Sequence, residues 1–242
     1  ARRRGTEERT RARGQIACFT SSRCTSMSQM QLFFDLDGTL TDSRPGILAS
    51  MRHALTILGR EIPPDDALSR FIGPPTHDAF RELLQSHDPE LNAYTIGIYR
   101  ERYAKLGLFE SSVYPGVSEG LKALREANHR LFVVTSKPQV FANTIIDHFG
   151  LRPYFEQVYG SELTGERSHK GELIAHVLQS ERISPASAWM IGDRLHDVVG
   201  AKQNGVRVAG VLWGYGSRQE LSEAGADTLF QTMPELVHAF SS

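Results

Sequence analysis

The chain has 242 residues, of which 40% are apolar and 23% are charged. A chain of this length should remove roughly 70% of its unfolded surface from water, so it needs neither disulfides nor a structural metal to fold. The formal net charge of −1 excludes an overall basic field for nucleic acid, so we expect no nucleic-acid partner. The two cysteines, Cys18 and Cys24, are too few for a disulfide framework and lack zinc-ligand spacing. We therefore expect a reducing, cytoplasmic compartment.

Residues 1–29 differ in composition from the rest of the chain. They contain seven arginines, two glutamates and no lysine, and they are rich in Ser and Thr. No apolar run in this segment is long enough for a secretory signal peptide. The composition is typical of a disordered basic leader, of a transit peptide, or of an extension upstream of a true start at Met27 or Met30.

After Met30, short apolar runs alternate with amphipathic segments. No run approaches the ~20 apolar residues that cross a bilayer, so we expect no membrane partner. Continuous apolar strands separated by helices are typical of a parallel sheet covered on both faces. The sequence therefore predicts an α/β fold. We expect helices over 117–127 and 171–179, and strands over 32–34, 131–135, 155–159, 188–191 and 208–212.

One interval, residues 43–112, contains no convincing strand. Pro45 is expected to begin a helix that ends at Gly59. Further helical patterns cover 76–85 and 91–106, after the turn-forming run FIGPP at 71–75.

This helical block is too long for a simple crossover between two parallel strands. We predict that 43–112 is a small helical domain inserted into a core formed by 30–42 and 113–242. The insert follows the carboxyl end of the first strand, where open α/β sheets bind ligands, so it is expected to cover a site.

The strongest chemical signal is the run FFDLDGTLTD, residues 33–42. Asp35 and Asp37 follow an apolar strand, and Gly38 allows the backbone to turn away sharply. A chance match to DxDGTL in a chain of this length has a probability on the order of 10⁻⁴. Two aspartates in a turn are commonly structural. Here three further segments point to the same sheet edge, which favours a functional site.

These three segments carry other polar groups. Thr135 and Ser136 end the second strand, in a position to donate hydrogen bonds to an anion. Lys170 stands at the start of a helix, where a cation opposes the helix dipole and a structural role is disfavoured. Asp193 follows a strand, and Asp197 comes four residues later, so both can lean toward one divalent cation.

The sequence resembles the haloacid dehalogenase (HAD) superfamily of phosphatases and phosphomutases. Its four motifs are matched in order and spacing by DLDGT (35–39), Thr135, Lys170 and GDxxxD (192–197). The resemblance covers about residues 31–240. It implies a Rossmannoid, doubly wound parallel-sheet core with an inserted α-helical cap. The runs FIGPP, YPGV, TSKP and IGDRLHDVVGAK resemble the phosphoglycolate-phosphatase-like branch more than the β-phosphoglucomutase-like branch.

The resemblance also implies roles for individual residues. Asp35 would form an aspartyl phosphate, and Asp37 would protonate the leaving alcohol and later accept a proton from water. Mg²⁺ would be held by the Asp35 and Asp193 side chains and the Asp37 carbonyl, with Asp197 close to these ligands.

The remaining roles concern charge and phosphate binding. Lys170 would neutralise the nucleophile and the transferring group, while Thr135 and backbone amides near Gly38 and Ser136 would hold the phosphate oxygens. Arg70 is a further candidate for binding an acidic group of the substrate, although a surface role is more common for such an arginine.

Several functions remain open at this stage. The expected partner is a small phosphorylated metabolite, with 2-phosphoglycolate favoured over nucleoside monophosphates (5'-nucleotidase) and sugar phosphates. A β-phosphoglucomutase-like phosphomutase also uses the second aspartate, so it remains an alternative. Dehalogenases of this group lack an acid at the position of Asp37 and are excluded. The protein is expected to be a monomer or a homodimer.

An alternative of another class is a receiver-like signalling domain that accepts phosphate on Asp35. Such a module has no helical roof, so the insert argues against it. A dinucleotide-binding domain is set aside because no GxGxxG follows the first strand.

Overall fold

A computed structural model describes residues 29–241, so all but the last residue of the expected leader lies outside the described part. The strands are β1 (Gln31–Phe34), β2 (Thr41–Asp42), β3 (Ser112–Val113), β4 (Arg130–Pro138), β5 (Gln157–Ser161), β6 (Ala188–Gly192), β7 (Arg207–Val211) and β8 (Thr228–Phe230). Six of them form one parallel sheet in the order β5-β4-β1-β6-β7-β8, and β2 pairs antiparallel with β3.

Ten α-helices are found within residues 29–241. They are α1 (Arg44–Ile57), α2 (Asp65–Ser69), α3 (Thr76–Leu84), α4 (Pro89–Arg102), α5 (Val117–Glu126), α6 (Gln139–His148), α7 (Lys170–Glu181), α8 (Leu195–Gln203), α9 (Arg218–Ala224) and α10 (Met233–Phe240). None of these described helices combines the length and the apolar character needed to cross a membrane.

The central strand β1 is buried on both faces of the sheet. Leu32 and Phe34 belong to the core on one face, with side chains from α5, α6 and α10. Phe33 belongs to the other core, with side chains from α7, α8 and α9. Successive strand residues point to opposite faces, so this continuous apolar strand requires helices on both sides. The predicted doubly wound α/β core is confirmed.

The short strands β2 and β3 were not predicted, and within the six-stranded sheet the largest differences from the predicted strands are at β8, β5 and β4. β8 was not predicted, because it is only three residues long and has no continuous apolar run around it. β5 begins two residues later than expected, since Phe155 precedes the strand and packs edge-on against Phe34. β4 continues beyond Thr135 to Pro138, with an irregular register after Val134.

The helices α1 to α4, called the helical insert below, lie between β2 and β3. As expected, the first helix begins next to Pro45 and ends before Gly59, which has a φ of +61°. The short helix α2 was not predicted. The last helix ends at Arg102 rather than at 106, and a π-helical turn, Tyr103–Gly107, follows it. The assignment of the insert as a separate domain stays a prediction.

The carboxyl ends of three adjacent strands, β4, β1 and β6, meet at one edge of the sheet. Asp35 and Asp193 directly follow β1 and β6, and Ser136 lies near the carboxyl end of β4. Because ligands bind at the carboxyl ends of the strands in open α/β sheets, this edge is where a site is expected.

Candidate active site

Three buried aspartates lie together at this edge. Asp35 follows β1, Asp193 follows β6, and Asp197 lies in the first turn of α8. One carboxylate oxygen from each lies within 4.8 Å of the others, a spacing that a single cation can bridge. Oxygen donors of this kind are the ligands that Mg²⁺ prefers. The donor set therefore fits a hard divalent cation.

The electrostatics of the cluster also favour a cation. Burial raises the pKa of Asp193 well above its usual value, and the neighbouring carboxylates of Asp197 and Asp35 raise it further. Burial raises the pKa of Asp197 to about 6, against the opposing effect of Lys170. Like charges in a buried site favour the neutral acids unless a cation balances them.

Lys170 supplies one balancing charge from the start of α7. Its Nζ lies 2.9 Å from Oδ1 of Asp35 and 2.6 Å from Oδ1 of Asp197. It also donates to the carbonyl of Val134 at 2.8 Å. Burial alone would lower the pKa of Lys170, but the two carboxylates outweigh it and raise the pKa. Lys170 is therefore a protonated, fully paired cation beside Asp35.

The carboxylate of Asp193 is held by two segments that precede and follow it. The Thr39 hydroxyl donates to Oδ1 at 3.1 Å, and the backbone amide of Tyr215 donates to Oδ2 at 2.7 Å. Gly38 has a φ of +86°, and a Cβ added there would overlap the Asp193 carboxylate. The sharp turn after β1 thus needs glycine for two reasons, the left-handed backbone and the close approach of Asp193.

Asp37 is separated from the three-aspartate cluster and has its own partners. Its Oδ1 accepts a hydrogen bond from the Ser43 hydroxyl at 2.5 Å. Its Oδ2 lies 2.7 Å from Nζ of Lys137. The two carboxylates after β1 therefore have different surroundings, as two carboxylates with different chemical roles require.

A cavity of about 50 Å³ lies between the helical insert and this sheet edge. Asp35, Asp37, Thr135 and Ser136 line its floor, and the insert supplies Arg100 and several apolar side chains. The Thr135 oxygen accepts from the amide of Lys137 at 3.3 Å, which leaves the hydroxyl proton to point toward an anion.

Two of the predicted phosphate-binding groups have other partners in the structure. The amide of Gly38 donates to the carbonyl of Thr41 at 2.8 Å, which closes the turn. The Arg70 guanidinium is exposed and pairs with Glu82 at 2.6 Å. Arg70 lies on the outer surface of the insert and does not line the cavity that contains Asp35. Its guanidinium carbon lies 4.8 Å from the centre of the Phe71 ring, and a role of Arg70 in substrate binding stays a prediction.

Sequence reasoning missed four residues that shape the site. Ser43 and Lys137 contact the carboxylate of Asp37. Arg194 contacts the insert, and the amide of Tyr215 contacts Asp193. Only Lys137 carried a usable signal, because residues two apart on a strand share a face and Lys137 is two residues from Thr135.

Arg194 joins the site to the helical insert. Its Nη1 donates to the carbonyl of Ile72 at 2.5 Å, and its Nε pairs with Glu220 at 2.9 Å. Since Arg194 directly follows Asp193, this contact ties the insert to the loop that carries an expected metal ligand.

These features define a hydrolase of the haloacid dehalogenase-like type. The family model described as "Haloacid dehalogenase-like hydrolase" matches residues 32–211, and the chain belongs to this family. The expected superfamily is confirmed.

Three known proteins illustrate the similarity. The chain is 45% identical to a 5'-nucleotidase of Pseudomonas aeruginosa, over 82% of this chain and 90% of that protein. It is 29% identical to a phosphoglycolate phosphatase of Psychrobacter arcticus, over 87% and 95% of the two chains. The structure of protein tyrosine kinase A of Mycobacterium tuberculosis shares 37% identity with a TM-score of 0.75, over 89% of this chain and 100% of that one. With the family assignment, the phosphatase relatives show that the protein is a phosphatase.

Proposed function

We propose that this protein hydrolyses phosphate monoesters in two steps, with Asp35 as the nucleophile and Mg²⁺ as the cofactor. The observation that carries the proposal is the position of Asp35. Its carboxylate pairs with Lys170 at 2.9 Å, lies in the three-aspartate cluster and lines the cavity. A nucleophile for phosphoryl transfer needs this combination of access and charge balance.

In the first step, a carboxylate oxygen of Asp35 forms a bond to phosphorus as the bond from phosphorus to the ester oxygen breaks. Asp37 acts in this step from its protonated form and gives that proton to the departing alcohol oxygen. Lys170 compensates negative charge at Asp35, and the Thr135 hydroxyl donates to a phosphate oxygen.

In the second step, a water oxygen attacks the phosphorus of the aspartyl phosphate. The bond from phosphorus to Asp35 breaks and regenerates the carboxylate, while Asp37 accepts the proton of the water. Inorganic phosphate leaves, and both aspartates return to their starting states. The mechanism needs no histidine.

The Mg²⁺ ion would be held by the side chains of Asp35 and Asp193 and by the backbone carbonyl of Asp37. When bound, it neutralises negative charge on the phosphate and on the carboxylates. Asp197 would orient these ligands indirectly, because its Oδ1 pairs with Lys170 and its Oδ2 accepts from the amide of Arg194 at 3.1 Å.

A small substrate with a second acidic group is the best fit to the cavity. The volume is small, and the cationic side chain of Arg100 lines it from the insert. The Nε of Arg100 is buried and has no partner among residues 29–241. These features favour 2-phosphoglycolate. The similarity to a 5'-nucleotidase supports nucleoside monophosphates as the second candidate.

The test is phosphate release from a panel of phosphorylated metabolites, with Mg²⁺ and with a chelator. The panel contains 2-phosphoglycolate, nucleoside 5'-monophosphates and hexose 6-phosphates. We expect Mg²⁺-dependent turnover, with the highest kcat/KM for 2-phosphoglycolate. A nucleotide that exceeds it by orders of magnitude would replace the favoured substrate and leave the mechanism intact.

Two further arms test phosphoryl transfer to acceptors other than water. Conversion of a hexose 1-phosphate to its 6-isomer would indicate a phosphomutase. Transfer from ATP to a tyrosine-containing peptide would indicate the activity for which the mycobacterial relative is named. Steady phosphate release without either reaction supports hydrolysis and also argues against a receiver-like domain, which holds its phosphate.

We also propose that the protein acts in the cytoplasm. The support is the pair of cysteines, which cannot form a disulfide framework. A monomer and a homodimer both fit the proposed mechanism, because every residue assigned to it lies in one chain.

A further inference from the structure

A buried lysine that the proposed mechanism does not use lies next to Asp37. Lys137 belongs to β4, and its side chain is 5% exposed. Lysine is almost never buried to this degree unless its charge is paired. The partners of its ammonium group therefore indicate its purpose.

The Nζ of Lys137 has two close polar partners. It lies 2.7 Å from Oδ2 of Asp37 and donates to the hydroxyl of Tyr103 at 2.7 Å. Within residues 29–241, Lys137 is the one side-chain cation that pairs with Asp37. The other oxygen of Asp37 accepts from Ser43, so both carboxylate oxygens are held. The carboxylate has a defined direction as a result.

Tyr103 connects this pair to the helical insert. It lies in the π-helical turn after α4 and is 1% exposed. Its ring stacks on Tyr99 with centroids 5.5 Å apart and meets Phe141 edge-on at 5.7 Å. Lys137 Nζ also lies 4.6 Å from the centre of the Tyr103 ring, within cation–π range. The position of Tyr103 is therefore fixed by packing against Tyr99 of the insert and Phe141 of the core helix α6.

The hydroxyl of Tyr103 remains a neutral group. Burial raises the pKa of Tyr103 well above its usual value, and the nearby charge of Asp37 raises it further. The tyrosine can therefore accept from Lys137 without adding a negative charge of its own beside Asp37. A continuous chain of contacts runs from the insert, through Tyr103 and Lys137, to the proton-transferring carboxylate.

We propose that Lys137 is a positioning residue that orients Asp37 for proton transfer and, through Tyr103, makes this orientation depend on the seated helical insert. The proposal rests on the proposed role of Asp37. If the insert moves away, Lys137 loses Tyr103, and Asp37 loses the rigid partner of its Oδ2. Proton transfer is then efficient only when the insert covers the substrate.

The experiment compares kcat/KM for an alkyl phosphate, 2-phosphoglycolate or the best substrate of the panel, and for p-nitrophenyl phosphate. This constant reports the steps through departure of the alcohol. A p-nitrophenolate ion leaves without a proton, so a defect that acts through Asp37 should affect it little. General acid catalysis contributes about 10²- to 10⁴-fold for a poor leaving group.

We expect Lys137→Met to lower kcat/KM for the alkyl phosphate by about 10²-fold and for p-nitrophenyl phosphate by less than about 10-fold. Tyr103→Phe, which keeps the ring packing, should show the same selectivity with a smaller loss. Lys137→Arg should recover part of the lost activity. Lys202→Met, which removes a half-exposed lysine paired with Asp227, is the matched control and should leave both constants unchanged.

Equal losses on both substrates, or a rise in KM alone, would overturn the proposal and make Lys137 a phosphate-binding group. Unchanged activity in Lys137→Met would also overturn it. If Lys137→Met does not fold, the Tyr103→Phe and Lys137→Arg variants provide the test. A larger loss of kcat/KM for the alkyl phosphate than for p-nitrophenyl phosphate supports the proposal, and equal losses overturn it. Failure of the proposed function can be distinguished with Asp37→Asn. If Asp37 is not the general acid, this variant should lose the same factor of kcat/KM on the alkyl phosphate and on p-nitrophenyl phosphate.

Discussion

Nζ of Lys170 lies 2.6 Å from Oδ1 of Asp197, and both groups are buried at the N-terminal ends of two packed helices, α7 and α8. A Cβ added to Gly200 would lie 2.6 Å from the Cβ of Lys170, so the close approach of the helices requires glycine there. The pair stabilises the cation beside Asp35 and fixes one end of the three-aspartate cluster.

Removal of Lys170 should destabilise the protein as well as inactivate it. Lys170→Met leaves Asp35 and Asp197 buried without their cation, so we expect a loss of about 3–5 kcal/mol in the free energy of unfolding. Lys170→Met combined with Asp197→Asn should recover part of this loss, because one unpaired charge disappears. Urea denaturation of the four proteins in the cycle measures the coupling. Additive effects would contradict the pairing.

Replacement of Asp35, the proposed nucleophile, should abolish turnover while the fold persists. We expect Asp35→Asn to lower kcat by at least ~10³-fold, because an amide replaces the carboxylate on which the proposed acyl phosphate forms. Phosphate release under saturating substrate measures the loss, and circular dichroism checks the fold. The control is Asp66→Asn, which changes an exposed aspartate on α2. Turnover retained by the Asp35 variant would reject this assignment.

The turn after β1 can be tested with two glycines that share a left-handed backbone. Gly38 and Gly59 have φ values of +86° and +61°, but only a Cβ at Gly38 would overlap Asp193. Gly59→Ala should cost about 1 kcal/mol through its backbone alone. We expect Gly38→Ala to cost more and to weaken Mg²⁺ binding, measured by calorimetry. Similar losses of stability with unchanged Mg²⁺ affinity in both variants would show that Asp193 moves freely.

Stability should depend on pH through Asp197. Its pKa of about 6 in the folded protein lies above the value near 4 in an unfolded chain. The folded state therefore binds more protons between about pH 4 and pH 6, and the free energy of unfolding falls as the pH rises through this window.

We expect the chelated wild-type protein to lose on the order of 1–3 kcal/mol relative to Asp197→Asn across that window. Urea denaturation at a series of pH values provides the measurement. Adding Mg²⁺ above pH 6 should restore stability to the wild type, because the cation binds the ionised cluster. Parallel pH profiles for the two proteins would show that Asp197 does not carry the effect.

The sequence predicted the fold class and the meeting of Asp35, Thr135, Lys170 and Asp193 at one sheet edge. The physical reason is that these features depend on short segments of the chain and on the direction in which parallel strands run. Apolar runs of strand length specify the strands, parallel strands place their carboxyl ends on one side, and the residues that follow them must converge. The amino acids within each motif are neighbours in the chain, so their chemistry can be recognised without coordinates.

Only the tertiary structure decided which partners surround these groups. The contact between Lys137 and Tyr103 joins residues 34 positions apart and depends on the π-helical turn that ends α4. The pairing of Arg70 with Glu82 depends on how α3 packs, and no chain-local pattern specifies it. Side chains find such partners through the packing of helices on the sheet, and this packing is set by the whole core rather than by any single segment.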